Sequence, residues 1–212
     1  MGREFLDLFG DWADSYDDAV AGKDAEYKAV FERYEEILVE VVSLSQGTVV
    51  EFGPGTGNLT EKLAEADLNV IPFEPSQEMR LIGQQKLGER VTFLDGDFLE
   101  FKLDEEVDTI VSTYAFHHLT DEEKGKAFSI YGNLLAQGGK IVFADTMFET
   151  KQHYHAAIDQ ALDKGFLNLA EDLQREYYTT LDVLESLLTS EGFSVHFRQI
   201  NNFVWIMEAT KQ

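Results

Sequence analysis

Apolar residues recur every three or four positions through the first part of the chain, and the rhythm then shortens. Phe5, Leu8, Phe9 and Trp12, followed by Tyr16, predict an amphipathic helix over 5–20. Tyr27, Val30, Phe31, Tyr34, Ile37, Leu38 and Val41 predict a second over 24–44. From there, short apolar or β-branched runs alternate with helical stretches. Runs at 48–52, 70–73, 91–94, 107–112 and 140–144 read as strands. Between them lie helical patterns: Leu59 and Leu63, fading near Asp67; Met79 and Ile82, opened by Ser76 and stopped by Gly88; Phe128, Tyr131, Leu134 and Leu135, ended by Gly138 and Gly139. Thr120 with Glu123 has the spacing of a capping box.

Strand–helix alternation of this kind predicts an α/β fold, a three-layer sandwich whose mostly parallel sheet carries helices on both faces. Two further strands, 194–200 and 203–209, follow a helix over 180–190 that holds Leu184, Leu187 and Leu188. They bring the expected sheet to seven strands. Asn201 and Asn202 join them, and asparagine tolerates the left-handed backbone of a tight turn. The last pair is therefore expected as an antiparallel hairpin. Phe203 to Met207 is apolar at successive positions, as an internal strand requires. Residues 149–178 break the alternation and read as a helical insertion, placed where substrate specificity usually resides. Pro72, inside the second strand, argues for an edge position there.

The 212 residues suit one domain, 1–212, with a helical cap over 1–45 and the insertion over 149–178. A 44% hydrophobic fraction with 16 Phe is enough for a large core. The absence of cysteine excludes disulfides and thiolate metal sites. Arg3, Glu4, Asp7 and Asp11 interrupt the opening apolar residues, unlike a signal peptide, and no stretch approaches the ~18 uninterrupted apolar residues of a membrane span. The expectation is a cytoplasmic protein with no membrane partner. Seventeen basic residues against 40 acidic ones leave a net charge of −23, a field that repels polyanions and argues against nucleic acid. A neutral or cationic small molecule suits it better, although acidity also serves solubility alone.

The stretch TVVEFGPGTGNLT, 48–60, carries the most specific chemistry. Gly53, Gly55 and Gly57 lie between a strand and a helix, where the backbone can approach a ligand and helix N–H groups await anionic atoms. A dinucleotide fingerprint would want glycine at 58, which is Asn58. Glu74 ends the next strand about 20 residues past the glycines, where a carboxylate accepts hydrogen bonds from two ribose hydroxyls.

The spacing E-F-G-P-G-T-G resembles the first motif of class I S-adenosylmethionine-dependent methyltransferases. The opening MGREFLDLFGDWADSYDDAV is similar to the bacterial methyltransferase family called YrrT. The resemblance implies S-adenosyl-L-methionine as cofactor, with the three glycines against its methionine part and Glu74 on its ribose. It also implies that Asp97 accepts from the adenine amino group, that the Phe98 backbone N–H serves a ring nitrogen, and that an aromatic of the N-terminal segment, Trp12 or Tyr16, covers the cofactor. In that fold the second strand is internal, in conflict with Pro72.

Methyl transfer to a small-molecule acceptor is then expected by in-line displacement from an activated sulfonium. Alignment alone supplies on the order of 7–11 kcal/mol in such reactions. Within TYAFHHL, 113–119, His117 is the candidate catalytic residue, as base for a neutral alcohol or phenol. A carboxylate, thiolate or free amine needs none. His153 and His155 fall in the insertion, and sequence spacing suggests no metal. Two other readings stay open: an NAD(P)-dependent oxidoreductase, which Asn58 and the hairpin disfavour, and a non-catalytic S-adenosylmethionine-binding sensor.

Overall fold

A computed structural model describes residue 20 and residues 22–212. Trp12 and Tyr16 lie outside the described residues. Among the described residues, seven α-helices and six strands follow in the order α1 (Tyr34–Leu44), β1 (Thr48–Phe52), α2 (Asn58–Glu65), β2 (Asn69–Phe73), α3 (Gln77–Leu87), β3 (Thr109–Thr113), α4 (Asp121–Leu134), β4 (Lys140–Thr146), α5 (Lys151–Asp163), α6 (Leu167–Arg175), α7 (Leu181–Ser190), β5 (Phe193–Gln199) and β6 (Val204–Lys211). The sheet runs β2-β1-β3-β4-β6-β5, with β1 to β4 parallel and β6 antiparallel to both its neighbours.

Period-two alternation builds both cores from the same strands. Val49, Val111 and Val142 face one way, against Ile37, Leu38 and Val41 of α1 and Leu59 and Leu63 of α2. Val50, Ile110, Ile141 and Phe143 face the other, against Ala127, Phe128 and Tyr131 of α4 and Leu184 and Leu188 of α7. The central strands are buried on both faces, which is why they read as continuous apolar runs.

Three expectations change. The run 91–94 forms no strand, so the sheet has six strands, not seven. Phe93 N–H donates to the Gln84 side chain and the Gln84 amide donates to the Val91 carbonyl, so α3 takes up backbone groups that a ladder would need. Only one parallel bridge remains, Phe73 with Leu94. This leaves β2 at the edge and removes the conflict over Pro72. Its carbonyl accepts from Leu94 N–H on the outer side, so the missing N–H falls outward as well, away from the β1 ladder. Second, the predicted helix over 24–44 begins only at Tyr34, because Arg33 turns left-handed at φ 65° and sends its guanidinium to the Ile200 carbonyl. Third, neither hairpin asparagine is left-handed. Asn201 works through its side chain instead, accepting from Phe203 and Val204 N–H and donating to the Val30 and Glu32 carbonyls.

Residues 149–178 fold as α5 and α6, which lie against the N-terminal segment. Glu26 accepts from Asn168 and Leu169 N–H, supplying from a distant part of the chain the cap that α6 lacks locally. Tyr27 donates to Asp172.

On the second core face Phe52 is fully buried, its ring 4.9–5.8 Å from those of Phe73, Phe98, Phe101 and Tyr131. Phe52→Ala is expected to cost about 3–5 kcal/mol, read from urea unfolding. A loss under about 1 kcal/mol would contradict this packing.

Candidate active site beyond the carboxyl ends of the strands

The strand order reverses between β1 and β3: the chain leaves β1 outward to β2 and returns on the other side as β3. Loops leaving the carboxyl ends of such a pair diverge and open a crevice. A cavity of about 500 Å³ lies there, lined by residues from the loops after β1, β2 and β3, by the last residue of β4, by the turn at Asp97 and Phe98, and by residues from the segment before α1 and from α6.

The turn after β1 forms the floor. Gly53 is left-handed, and a Cβ on it would stand 2.7 Å from that of Ala115, so the two loops meet only because this residue is glycine. Gly55 is also left-handed, and a Cβ there would meet nothing within 4 Å. Its bare backbone faces the cavity. Gly57, by contrast, is not a lining residue. It precedes α2, and a Cβ would press on the Phe93 ring at 3.0 Å and on Leu87 at 3.2 Å. Its geometry is that of a packing contact.

Glu74, at the end of β2, is gripped by the glycine turn. Gly55 N–H donates to one carboxylate oxygen at 2.9 Å and Ser76 N–H to the other at 2.9 Å. Burial pushes this carboxyl up to about 7, against the two N–H bonds and Arg80, which favour ionisation. Two backbone bonds leave about half of its four acceptor positions for a ligand. Asp97, also buried, accepts from Leu99 and Glu100 N–H in a tight turn. The Phe98 ring belongs to the core, 5.3 Å from that of Phe116. Asp97 and Phe98 both line the cavity.

His117 lies across the cavity on a 3₁₀ turn, Phe116–His118. Asp145, at the end of β4, accepts from His117 N–H at 2.9 Å and pairs with its Nδ1 at 2.6 Å. Glu176 stands 3.3 Å from Nε2, and the Tyr178 ring stacks on the imidazole at 5.0 Å. Burial pulls His117 down, but the charges of Asp145 and Glu176 and the Asp145 hydrogen bond outweigh it, and the net shift is upward. Its neighbour His118 moves the other way, well below the usual histidine range, through burial and the adjoining positive charges. His117, His118 and Glu176 each offer a ligand atom within 4.8 Å of the others. His153 is exposed on α5, near Glu149.

The geometry thus gathers Gly53, Gly55, Glu74, Asp97, Phe98 and His117 around one cavity and sets Gly57 outside it. Tyr27 and Phe31, legible in sequence only as core periodicity, also line it. Sequence reasoning assigned no role to Asp145, although it ends a strand just as Glu74 does. Glu176 carries no local signal, being one acid among many in the insertion. Tyr114, left-handed at φ 54°, places its ring 5.1 Å from that of Phe31. A bulky residue in that conformation is strained, a state that clusters at functional sites.

Residues 49–139 match the model of a methyltransferase domain. Over its full length the chain is 58% identical to an uncharacterized methyltransferase of Geobacillus sp. (strain WCH70), covering 100% of both chains. Among solved structures, the DhpI–SAH complex is similar at a TM-score of 0.69 with 17% identity, over 97% of this chain and 94% of that one. The SAM-bound magnesium protoporphyrin IX methyltransferase (ChlM) from Synechocystis PCC 6803 is similar at 0.64 with 20% identity, over 88% and 84%. Those two show the fold. No helix among the described residues is long and apolar enough to cross a membrane.

Glu51, on β1, is 1% exposed and accepts from the Thr60 hydroxyl at 2.6 Å. Burial raises it to about 8, and the neighbouring Glu74 adds to the rise. Its folded value therefore exceeds its unfolded one. The stability contribution is complete below about pH 4.5 and is lost as pH rises through about 8. Glu51→Gln should flatten that fall, on the order of 3 kcal/mol, between urea unfolding midpoints taken at about pH 5 and about pH 8.5. An unchanged slope would mean that the carboxyl is not so buried.

Proposed function

The chain belongs to the class I S-adenosylmethionine-dependent methyltransferases, and we propose that it methylates a small molecule held in the cavity between the β1 turn and His117. One observation carries the reading: Gly55 turns a bare backbone toward the cavity while its N–H fixes a buried carboxylate beside it. Bound there, the cofactor supplies a methyl group already activated on a sulfonium.

The residues around it would bind, orient and exclude water. Gly53 and Gly55 keep the floor clear for the methionine part. Glu74 accepts from the ribose hydroxyls with the positions its backbone bonds leave open. Asp97 and the Phe98 backbone, both lining the cavity, would take the adenine. Gly57 acts indirectly, by letting α2 pack against Phe93. Six acids line the cavity (Asp24, Glu74, Asp97, Glu171, Asp172 and Glu176) against Arg175 and the two histidines. That balance favours a ligand bearing both a sulfonium and an ammonium. α6 and the segment before α1 close over the cavity and would select the acceptor, whose modest size follows from the about 500 Å³ available to it and the cofactor together. His117 sits at the acceptor end. With Asp145 on one nitrogen and Glu176 by the other, its first role is to anchor a polar acceptor atom rather than to take a proton.

Three outcomes are expected. Glu74→Ala should weaken S-adenosylhomocysteine binding by about 1.5–3 kcal/mol in calorimetry, and unchanged affinity would remove Glu74 from the site. Ribose hydroxyls prefer the ionised carboxylate, so wild-type affinity should rise about tenfold from about pH 6 to about pH 8, and Glu74→Gln should abolish that rise. His117→Ala should keep S-adenosylhomocysteine affinity and lose methyl transfer. The acceptor itself is sought by thermal-shift screening of metabolites with S-adenosylhomocysteine present. A melting shift with NADH but none with S-adenosylhomocysteine would overturn the proposal.

A further inference from the structure

The His117 end of the cavity is more elaborate than an acceptor anchor requires. The loop after β3 brings two histidines together, their rings 4.2 Å apart. Glu176, from the far end of the insertion, joins them, and the three offer ligand atoms within 4.8 Å of one another. Two imidazoles and one carboxylate form a donor set for a divalent cation of borderline softness, the zinc class above all.

Around these three residues lies a supporting layer of the kind metal ligands carry. A ligating histidine commonly engages a carboxylate through its other ring nitrogen, which fixes its tautomer and leaves the second nitrogen for the ion. His117 has this arrangement, with Nδ1 on Asp145 at 2.6 Å and Nε2 on the Glu176 side. Asp145 also accepts from His117 N–H, so backbone and ring are held by one carboxylate. Glu176 is oriented in turn by the Tyr178 hydroxyl, which donates to it at 2.7 Å. The two segments cannot drift apart easily. Tyr177 N–H donates to the His117 carbonyl at 3.0 Å. The buried Lys124 ammonium joins the Leu119 and Tyr177 carbonyls.

We propose that His117, His118 and Glu176 form a divalent-cation site of the zinc class, supported by Asp145 and Tyr178, with its remaining coordination position open to the cavity. All three ligands line the cavity. Three protein ligands and an open position distinguish catalytic from closed structural zinc sites. An oxygen or nitrogen of the acceptor would take that position. This last point rests on the methyl-transfer reading; the ion site does not. The acidic lining adds a favourable field for a cation.

The test uses the full-length protein, stripped by a chelator and dialysed, with no cofactor present. Titration with zinc sulfate in a calorimeter should show one equivalent bound at micromolar affinity or better. Glu176→Gln, nearly isosteric, and His118→Ala should each abolish or weaken that binding at least tenfold. Asp145→Asn should weaken it about 10- to 100-fold, as loss of a supporting carboxylate does. His153→Ala should leave it unchanged. Cobalt(II) added to the stripped protein should give visible bands that Glu176→Gln removes, a readout that does not depend on the stability of any alanine variant. No stoichiometric binding, or binding and cobalt bands indifferent to Glu176→Gln, would overturn the proposal. S-adenosylhomocysteine titrated into the same stripped protein separates the two readings: tight binding of that product without any zinc binding sinks the ion site alone.

Discussion

A carboxylate buried at the end of β2 has to find backbone donors, and the glycine turn supplies one of them. Removing Glu74 from water is unfavourable by several kcal/mol unless hydrogen bonds replace the lost hydration. Ser76 N–H, two residues on, provides one bond, and Gly55 N–H, in the turn after the neighbouring strand, provides the other. The second bond ties the two loops at the strand ends into one structure. It fixes the bare face of Gly55 toward the cavity and so sets where a ligand can approach. The raised pKa shows that compensation is incomplete, and an incompletely satisfied carboxylate still has capacity for hydroxyl donors. In this sense the partial satisfaction of Glu74 by backbone donors and its aptness for the proposed ribose contact have one cause.

The opposite wall follows the same logic with the signs mixed. Lys124 sits on α4 at 1% exposure, where its ammonium must be neutralised or well hydrogen-bonded. It settles on the carbonyls of Leu119 and Tyr177, and in doing so fastens the histidine turn to the end of the insertion. Asp145 does the equivalent from β4. Charged groups that would be liabilities in an apolar core are here the fasteners of the loops. The parallel strands beneath are mostly apolar on both faces, so most of the polar chemistry gathers at their ends.

How much of this was legible in the sequence depended on the range over which each signal acts. The capping box and every strand but that at 91–94 were local, and they appear where periodicity and spacing put them. Ser76 caps α3 and Thr120 with Glu123 caps α4 as their spacing requires. Glu74 was legible because its partner motif lies a single strand–helix unit away. The run 91–94 has strand composition but loses its backbone partners to Gln84, a side-chain competition that composition does not encode. The stretch before α1 has helical periodicity, yet a left-handed Arg33 held by Ile200 cuts it short. Gly57 fits the motif by spacing, but the structure gives it to Phe93 and Leu87. The site at His117 was the least legible, because Glu176 reaches it only through the packing of α6. Nothing in the local sequence marks Glu176 among its many acidic neighbours.

That contrast bears on where specificity would reside. Of the residues proposed to meet the cofactor, Gly53, Gly55 and Glu74 come from short loops directly at strand ends, whose positions follow from the sheet, and Asp97 and Phe98 come from a tight turn in the segment between α3 and β3. Those around the proposed acceptor end include residues of α6 and the segment before α1, which hold one another by the Glu26 cap and the Tyr27–Asp172 contact. A change in either partner would shift the cavity roof without disturbing the floor. Such a division would let one cofactor site serve different acceptors by altering elements outside the sheet. The roof contacts lie at the surface end of the fold, with part-exposed carboxylates and backbone donors, and they make less of the core than the strands do. They are therefore the part of the site that opening motions would draw on first.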